Sequence, residues 1–140
     1  MYCTESDILK VIKKAEYDKL VAADTGAGLP SAANVRDNAI TDADSLINGY
    51  LKNAVTTLPL TTVPASIKKC SVDITIFNLM ARIQYDEVPQ FWKDRYDAAI
   101  AFLKDIARGV VGLDQTVSED DAESNVDVNQ EDRVFGRGTF

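Results

Sequence analysis

Residues 40–83 read ITDADSLINGYLKNAVTTLPLTTVPASIKKCSVDITIFNLMARI, and they contain two segments with helical periodicity. In the first, apolar side chains recur at steps of three and four residues: Ile40, Ala43, Ile47, Tyr50 and Ala54. The second repeats this spacing with Ile67, Cys70, Ile74, Phe77 and Ala81. Because such steps place each set on one side of a 3.6-residue helix, the sequence predicts two amphipathic helices. Their apolar faces are expected to form the core of a small helical domain.

The connector between these helices contains two prolines, Pro59 and Pro64. Proline lacks an amide hydrogen and disfavours the α conformation in the residue before it, so neither helix can continue through the connector. Pro64 is well suited to the first turn of the helix that follows.

The remaining patterns predict an all-α bundle of about four to five helices. We expect helices near residues 5–14, 34–54, 65–83 and 90–108, with a further short helical piece at 16–23. Thr4 and Asp7 resemble a short capping box, and Gly109 follows the last apolar position as a helix-stop signal.

Two local features complicate the helix predictions. Residues 72–76 (VDITI) alternate with period two, so a strand is the alternative there, but the helical spacing continues well beyond them. Gly49 costs about 1 kcal/mol relative to alanine inside a helix, and we therefore expect another group to pack closely against it.

Charge divides the chain into two parts. Residues 1–113 carry 13 basic and 14 acidic side chains and are predicted to form the helical domain. Residues 114–132 hold eight acids and no base, a composition that cannot bury a core, and 114–140 are predicted to be an acidic linker and interaction arm. Neither part has the basic footprint of a tight nucleic-acid binder.

The two cysteines, Cys3 and Cys70, do not have metal-ligand spacing. Cys70 lies on an apolar stripe, where a free thiol packs as a small hydrophobic group, so we expect structural thiols. No signal peptide or membrane span is recognised in the sequence. We expect a soluble protein in a reducing compartment.

Catalytic patterns are missing from the sequence. It contains no histidine and no nucleophile elbow, phosphate-binding loop or Cys/His cluster. Neighbouring acids such as Asp42 and Asp44 are interpreted as solvated helix-face residues. We therefore expect a protein that is not an enzyme and needs neither a cofactor nor a metal ion; an enzyme using carboxylates alone remains an alternative.

The end of the chain, RVFGRGTF, combines aromatic and arginine side chains, the residue types that anchor protein interfaces. We predict that they bind neighbouring subunits; the alternative is that they fold back onto their own subunit. The candidate partner-binding residues are Arg133, Phe135, Arg137 and Phe140 in the arm and Leu58, Pro59 and Leu60 in the connector.

Several segments, in order along the chain, resemble one known family. They are MYCT with DIL at residues 1–9, ADSLINGYL at 43–51 followed by LPL and VP, YDAAIAFL at 96–103 leading to IARG, and the closing RVF at 133–135. Together they resemble the phage Mu-type head–tail joining, or neck, protein family. Residues 20–39 and the acidic 114–132 segment depart from the resemblance.

The resemblance implies a structural virion protein of the phage neck. Such a subunit is expected to oligomerise as a ring, with twelve-fold symmetry as the expectation, between portal and tail proteins. DNA would pass through the ring without sequence-specific binding, and no membrane is involved. The acidic segment would be repelled by duplex DNA and is expected outside any channel.

A different class of function is kept as the alternative. The acidic segment could belong to a soluble regulatory or inhibitory protein that docks on a basic partner. Such a protein would be a monomer or dimer with strongly salt-dependent binding, whereas a neck protein would form a ring.

Overall fold

The computed structural model describes residues 1–23, 26–83 and 88–113, and these residues form five helices without a strand. The elements are α1 (Glu5–Leu9), α2 (Lys14–Val21), α3 (Ala32–Leu51), α4 (Ala65–Ile83) and α5 (Gln90–Ala107). The prediction of a small all-α bundle is confirmed. The predicted arm at residues 114–140 lies outside the described part of the chain.

The three long helices α3, α4 and α5 pack against one another, and α1 and α2 lie against this bundle. The first half of α3 and the second half of α4 share one buried cluster with α1 and α2. The second half of α3 and the first half of α4 share another with α5. The helices α3 and α4 therefore run antiparallel, and each passes through both clusters.

Most residues of the predicted apolar stripes form this core, but Ala54 and Ala81 are exposed, and Ala54 lies beyond the end of α3 at Leu51. Ile40, Ile47 and Ile74 are each at most 1% exposed, as expected for residues facing between α3 and α4. Helix α4 is buried on nearly all sides, because Ser71 and Thr75 are also fully buried. The period-two alternation at residues 72–76 thus belongs to a central helix, and the strand alternative is wrong.

Local signals account for several helix ends. The capping box is present, since the Thr4 side chain accepts from the Asp7 amide and the Asp7 side chain accepts from the Thr4 amide. The Pro64 carbonyl accepts from the amides of Ile67 and Lys68, in the first turn of α4, at 3.0 Å each. Gly109 follows α5 with a φ of 81°, the left-handed conformation predicted for it.

Two expectations are corrected by the structure. The first helix ends at Leu9 and not near Lys14, because the extended backbone of Lys13 redirects the chain into α2 and brings Tyr17 into the core. Gly49 is exposed, and a Cβ atom added there would have no neighbour within 4 Å. No close packing explains this glycine.

Gly49 and Gly109 provide a pair of opposite predictions for stability. Gly49→Ala is expected to raise the free energy of unfolding by up to about 1 kcal/mol, because alanine favours an open helical site. Gly109→Ala is expected to lower it by about 1 kcal/mol, because its positive φ strains an L-residue. Urea denaturation of both variants would measure the difference. A loss of stability in Gly49→Ala would contradict the open environment seen at that position.

Candidate interaction surfaces

The predicted partner-binding residues of the connector occupy three different environments. Pro59 is exposed, Leu58 is half-buried and Leu60 is only 6% exposed. The Leu58–Pro59 peptide bond is cis. A partner would therefore meet Pro59 and part of Leu58, while Leu60 packs into the core; the binding role of all three stays a prediction. Arg133, Phe135, Arg137 and Phe140 lie outside the described residues.

The connector is fixed to the start of the chain by Tyr2. Its hydroxyl accepts the Leu60 amide at 3.0 Å and donates to the side-chain oxygen of Asn48 on α3. The Tyr2 amide donates to the Asp44 carboxylate at 3.1 Å, and the terminal ammonium group lies 3.7 Å from it. Asp44 thus orders the N-terminus, and the interpretation of this acid as a solvated helix-face residue is wrong.

A cleft of about 240 Å³ lies between the chain after α1, the start of α4 and the start of α5. We call it the lysine cleft. Its charged residues are Asp7, Lys10, Lys68, Lys69, Asp73 and Arg95. Four bases face two acids, so its net charge is positive although the helical domain as a whole is close to neutral.

The carboxylates of the lysine cleft lie inside and the ammonium groups outside. The Asp73 side chain is fully buried, and the Asp7 side chain is 12% exposed. The lysine side chains are 49% to 75% exposed. Burial opposes ionisation of Asp7, but hydrogen bonds from Thr4 and the charges of Lys68 and Lys10 hold its pKa below the ordinary value. Solvent therefore meets a cationic surface.

Asp73 is the buried centre of this arrangement. Its Oδ1 atom accepts from Arg95 Nε at 2.9 Å and lies 2.8 Å from Arg95 Nη2. Its Oδ2 atom accepts from Lys69 Nζ at 2.9 Å. The Lys69–Asp73 ion pair, four residues apart on α4, is part of a network that joins α4 to α5. The contact with Arg95 spans 22 residues and has no local signal in the sequence.

Aromatic rings lie next to the cleft at the start of α5. Phe91 is 60% exposed and meets Trp92 edge-on, with ring centroids 5.0 Å apart. The Arg95 guanidinium lies 5.6 Å from the Phe91 centroid and 5.5 Å from the Trp92 centroid. An arginine held between two rings, one of them exposed, has the composition typical of interface hot spots.

A second cavity of about 250 Å³ lies between α4 and α5. We call it the small-residue groove, and its lining is Ser66, Lys69, Cys70, Ala98, Ala99 and Phe102. Lys69 borders both cavities. The two cavities are therefore adjacent, the first lined mainly by charged residues and the second mainly by apolar ones.

Both cysteines are free and buried, as expected. Burial and the nearby charge of Asp73 raise the pKa of Cys70 to about 11, and burial raises that of Cys3. At pH 8 only about one Cys70 thiol in a thousand would be ionised, so we expect neither thiol to react rapidly with an aromatic disulfide reagent. Both should react after denaturation in urea. Rapid labelling of the native chain would contradict their burial.

Residues 1–23, 26–83 and 88–113 contain no group of three or more cysteine and acidic side chains that could hold a metal ion. None of the helices in this part of the chain is long and apolar enough to cross a membrane.

Comparison with known families gives a match over nearly the whole chain. The model of the family described as Bacteriophage Mu, Gp36 matches residues 2–130. The chain belongs to the bacteriophage Mu Gp36 family. No curated protein sequence matched it. The resemblance to phage Mu-type proteins is thus confirmed at the level of the family, and the joining role that it implies is taken up below.

In this member of the Mu Gp36 family, sequence reasoning missed the lysine cleft. The adjacent Lys68 and Lys69 at the start of α4 were the available signal, because two bases in one helical turn project from one end of the bundle. Lys10 and Arg95 come from other elements, and only the tertiary structure brings them to the same place.

Proposed function

We propose that this member of the Mu Gp36 family is a structural subunit of the phage neck, which forms a ring between portal and tail proteins. The observation that carries the proposal is the family match over residues 2–130. The order of the resembling segments from residue 1 to residue 135 adds the head–tail joining role to the family assignment.

The described surfaces provide contacts suited to a ring. Each contact in a ring of identical subunits joins two different surface patches, one from each neighbour. One such patch lies at the start of α5 and consists of the exposed Phe91 side chain, the neighbouring Arg95 and the lysine cleft. The arm carrying Arg133, Phe135, Arg137 and Phe140 is proposed as the complementary element on the adjacent subunit.

The distribution of charge supports passage of DNA through such a ring. A strongly basic channel would hold duplex DNA through its phosphates, whereas residues 1–113 are close to neutral. The eight acids of residues 114–132 would be repelled by DNA and are proposed to lie away from the channel. The ring thus guides DNA without reading its sequence.

We also propose that the chain is not an enzyme. The two least exposed carboxylates of α3 and α4 already have structural partners, because Asp44 accepts from the N-terminus and Asp73 is paired with Lys69 and Arg95. A general acid or base needs a carboxylate that is free to exchange protons with a substrate in a pocket.

The number of subunits around an axis tests the proposed neck role. We expect mass photometry and negative-stain images to show a closed ring, either of the chain alone or of the chain bound to its portal or tail neighbour. A monomer or dimer that binds basic proteins with strong salt dependence, and never forms a ring, would favour the regulatory alternative.

The C-terminal arm provides a second test. Deletion of residues 131–140 is expected to leave the circular dichroism spectrum of the helical domain unchanged and to block head–tail assembly. Thr139→Ala is the matched control, because it leaves both phenylalanines and both arginines of the arm in place. Complementation of a phage that lacks the gene would give the readout. Full infectivity of the truncated chain would exclude the proposed role of the arm.

A further inference from the structure

The lysine cleft is built to present positive charge outward. Its two carboxylates are drawn inward, Asp73 by Arg95 and Lys69, and Asp7 by its capping box with Thr4. Each lysine keeps about half or more of its side chain exposed, from 49% at Lys68 to 75% at Lys10, and Lys68 Nζ is 3.9 Å from Asp7 Oδ1. The ammonium groups can therefore accept further anionic partners without breaking the buried pairs.

The walls of the cleft are suited to a polypeptide ligand. Val11 is 38% exposed at the rim, and Ala65 and Val72 complete an apolar wall beside the lysines. The small-residue groove lies beside the cleft at Lys69, and Ala98, Ala99 and Phe102 contribute to its lining. A ligand that fits this surface combines carboxylates with short apolar side chains.

The same chain contains a segment with this chemistry. Residues 114–132 read DQTVSEDDAESNVDVNQED, in which eight carboxylates are interspersed with alanine and three valines. We propose that the lysine cleft and the small-residue groove are the docking site for residues 114–132 of a neighbouring copy of this chain. The proposal rests on the intersubunit role of the C-terminal region proposed above and names the surface that receives it.

Assignment to a neighbouring copy follows from where the described chain ends. The acidic segment begins beyond the C-terminal end of α5, whereas the docking site extends from Phe102 in the small-residue groove back to Arg95 in the first third of this helix. The helical rise places Arg95 about 18 Å from Ala107, so docking on the same subunit would require the chain to double back along α5. Head-to-tail neighbours bring these two ends together without a reversal.

A labelled peptide tests the docking site directly. We would titrate fluorescein-labelled peptide 114–132 with the full chain and follow fluorescence anisotropy at several salt concentrations. Binding is expected to weaken as salt increases. Binding of the peptide to the Lys68→Glu/Lys69→Glu chain should be about tenfold weaker. Each exposed ion pair between a lysine and the peptide contributes little alone, but this variant reverses two charges at once.

Two controls isolate the charge of the cleft. Lys19→Glu/Lys52→Glu makes the same change of charge at exposed sites outside the cleft and should bind the peptide like the wild-type chain. A peptide with its acids replaced by amides should not bind. Equal binding of the peptide to both double variants would overturn the proposal. So would a short DNA duplex that binds the same lysines and displaces the peptide.

The source of the docked segment is tested with the chain's own tail. If residues 114–132 docked on their own subunit, they would compete with the added peptide at millimolar effective concentration. Because we propose docking on a neighbouring copy, we expect the wild-type chain to bind the peptide as tightly as a chain with Glu119, Asp120, Asp121 and Glu123 changed to amides. At concentrations at which mass photometry shows only the monomer, markedly weaker binding by the wild-type chain would show docking on the same subunit and overturn the assignment to a neighbour.

Failure of this inference is distinguishable from failure of the proposed neck function. If wild-type rings form while the peptide does not bind, the docking site is wrong and the neck role stands. If the peptide binds as described while no ring forms with any partner, the docking site is supported and the neck role fails.

Discussion

Replacing Arg95 by methionine is expected to lower the free energy of unfolding by about 2–3 kcal/mol. The reason is the fully buried Asp73 carboxylate, whose Oδ1 atom has Arg95 nitrogens at 2.8 and 2.9 Å. Methionine preserves much of the side-chain volume but removes the charge and both donors. The remaining partner, Lys69, is 65% exposed and cannot compensate for a buried charge that has lost its principal partner.

Urea denaturation of a double-mutant cycle measures this effect. Lys69→Met is the control, and it should cost less than Arg95→Met because the lysine side chain is largely in water. The Asp73→Leu/Arg95→Met chain should recover most of the lost stability, since an apolar pair of similar volume leaves no buried charge. If Arg95→Met were neutral, the Asp73 carboxylate would have to be hydrated in solution.

The long helices could be predicted from sequence because their signals are local. The apolar residues of α3 and α4 recur with the helical period over several turns, and Pro64, Pro89 and Gly109 stand next to observed helix ends. Such features depend on neighbours within a few residues. Thus the boundaries of α4 match the prediction of 65–83, and those of α5 differ from 90–108 by a single residue.

Long-range contacts account for what the sequence did not reveal. The Tyr2 hydroxyl joins Leu60 to Asn48, and Arg95 reaches Asp73 from another helix. Partners separated by more than 20 residues leave no periodic trace in a single sequence. The break after Leu9 was missed for a related reason, because residues 5–14 have helical composition and only the packing of Tyr17 requires the turn.

The distinction between local sequence signals and long-range contacts also applies to the candidate sites. The composition of the arm and the connector predicted binding residues, and these remain predictions, since Arg133 and Phe135 lie outside the described chain and Leu60 is a core residue. The resemblance in segments 43–51 and 96–103 agrees with membership of the Mu Gp36 family. The lysine cleft can be recognised only in the tertiary structure, because its bases come from three separate parts of the chain.

Two isoleucines in different clusters provide the last prediction. Ile40 lies in the cluster shared with α1 and α2, and Ile74 lies in the cluster shared with α5. Each is 1% exposed. Truncation to alanine is expected to cost about 3–4 kcal/mol at either site, because each change removes buried methyl and methylene groups and leaves a cavity in a rigid surrounding. Val110→Ala, at a residue that is 70% exposed, is the control and should change stability little.

The unfolding transition of these variants shows whether the two clusters act as one unit. Trp92 is the only tryptophan of the chain and packs against the first cluster, whereas circular dichroism reports all helices. Because α3 and α4 pass through both clusters, loss of either core should unfold both helices. We therefore expect the two signals to coincide for Ile40→Ala and for Ile74→Ala. If Ile74→Ala lost helicity at lower urea concentration than it lost the native Trp92 signal, the clusters would be independent units, and α3 and α4 would not couple them.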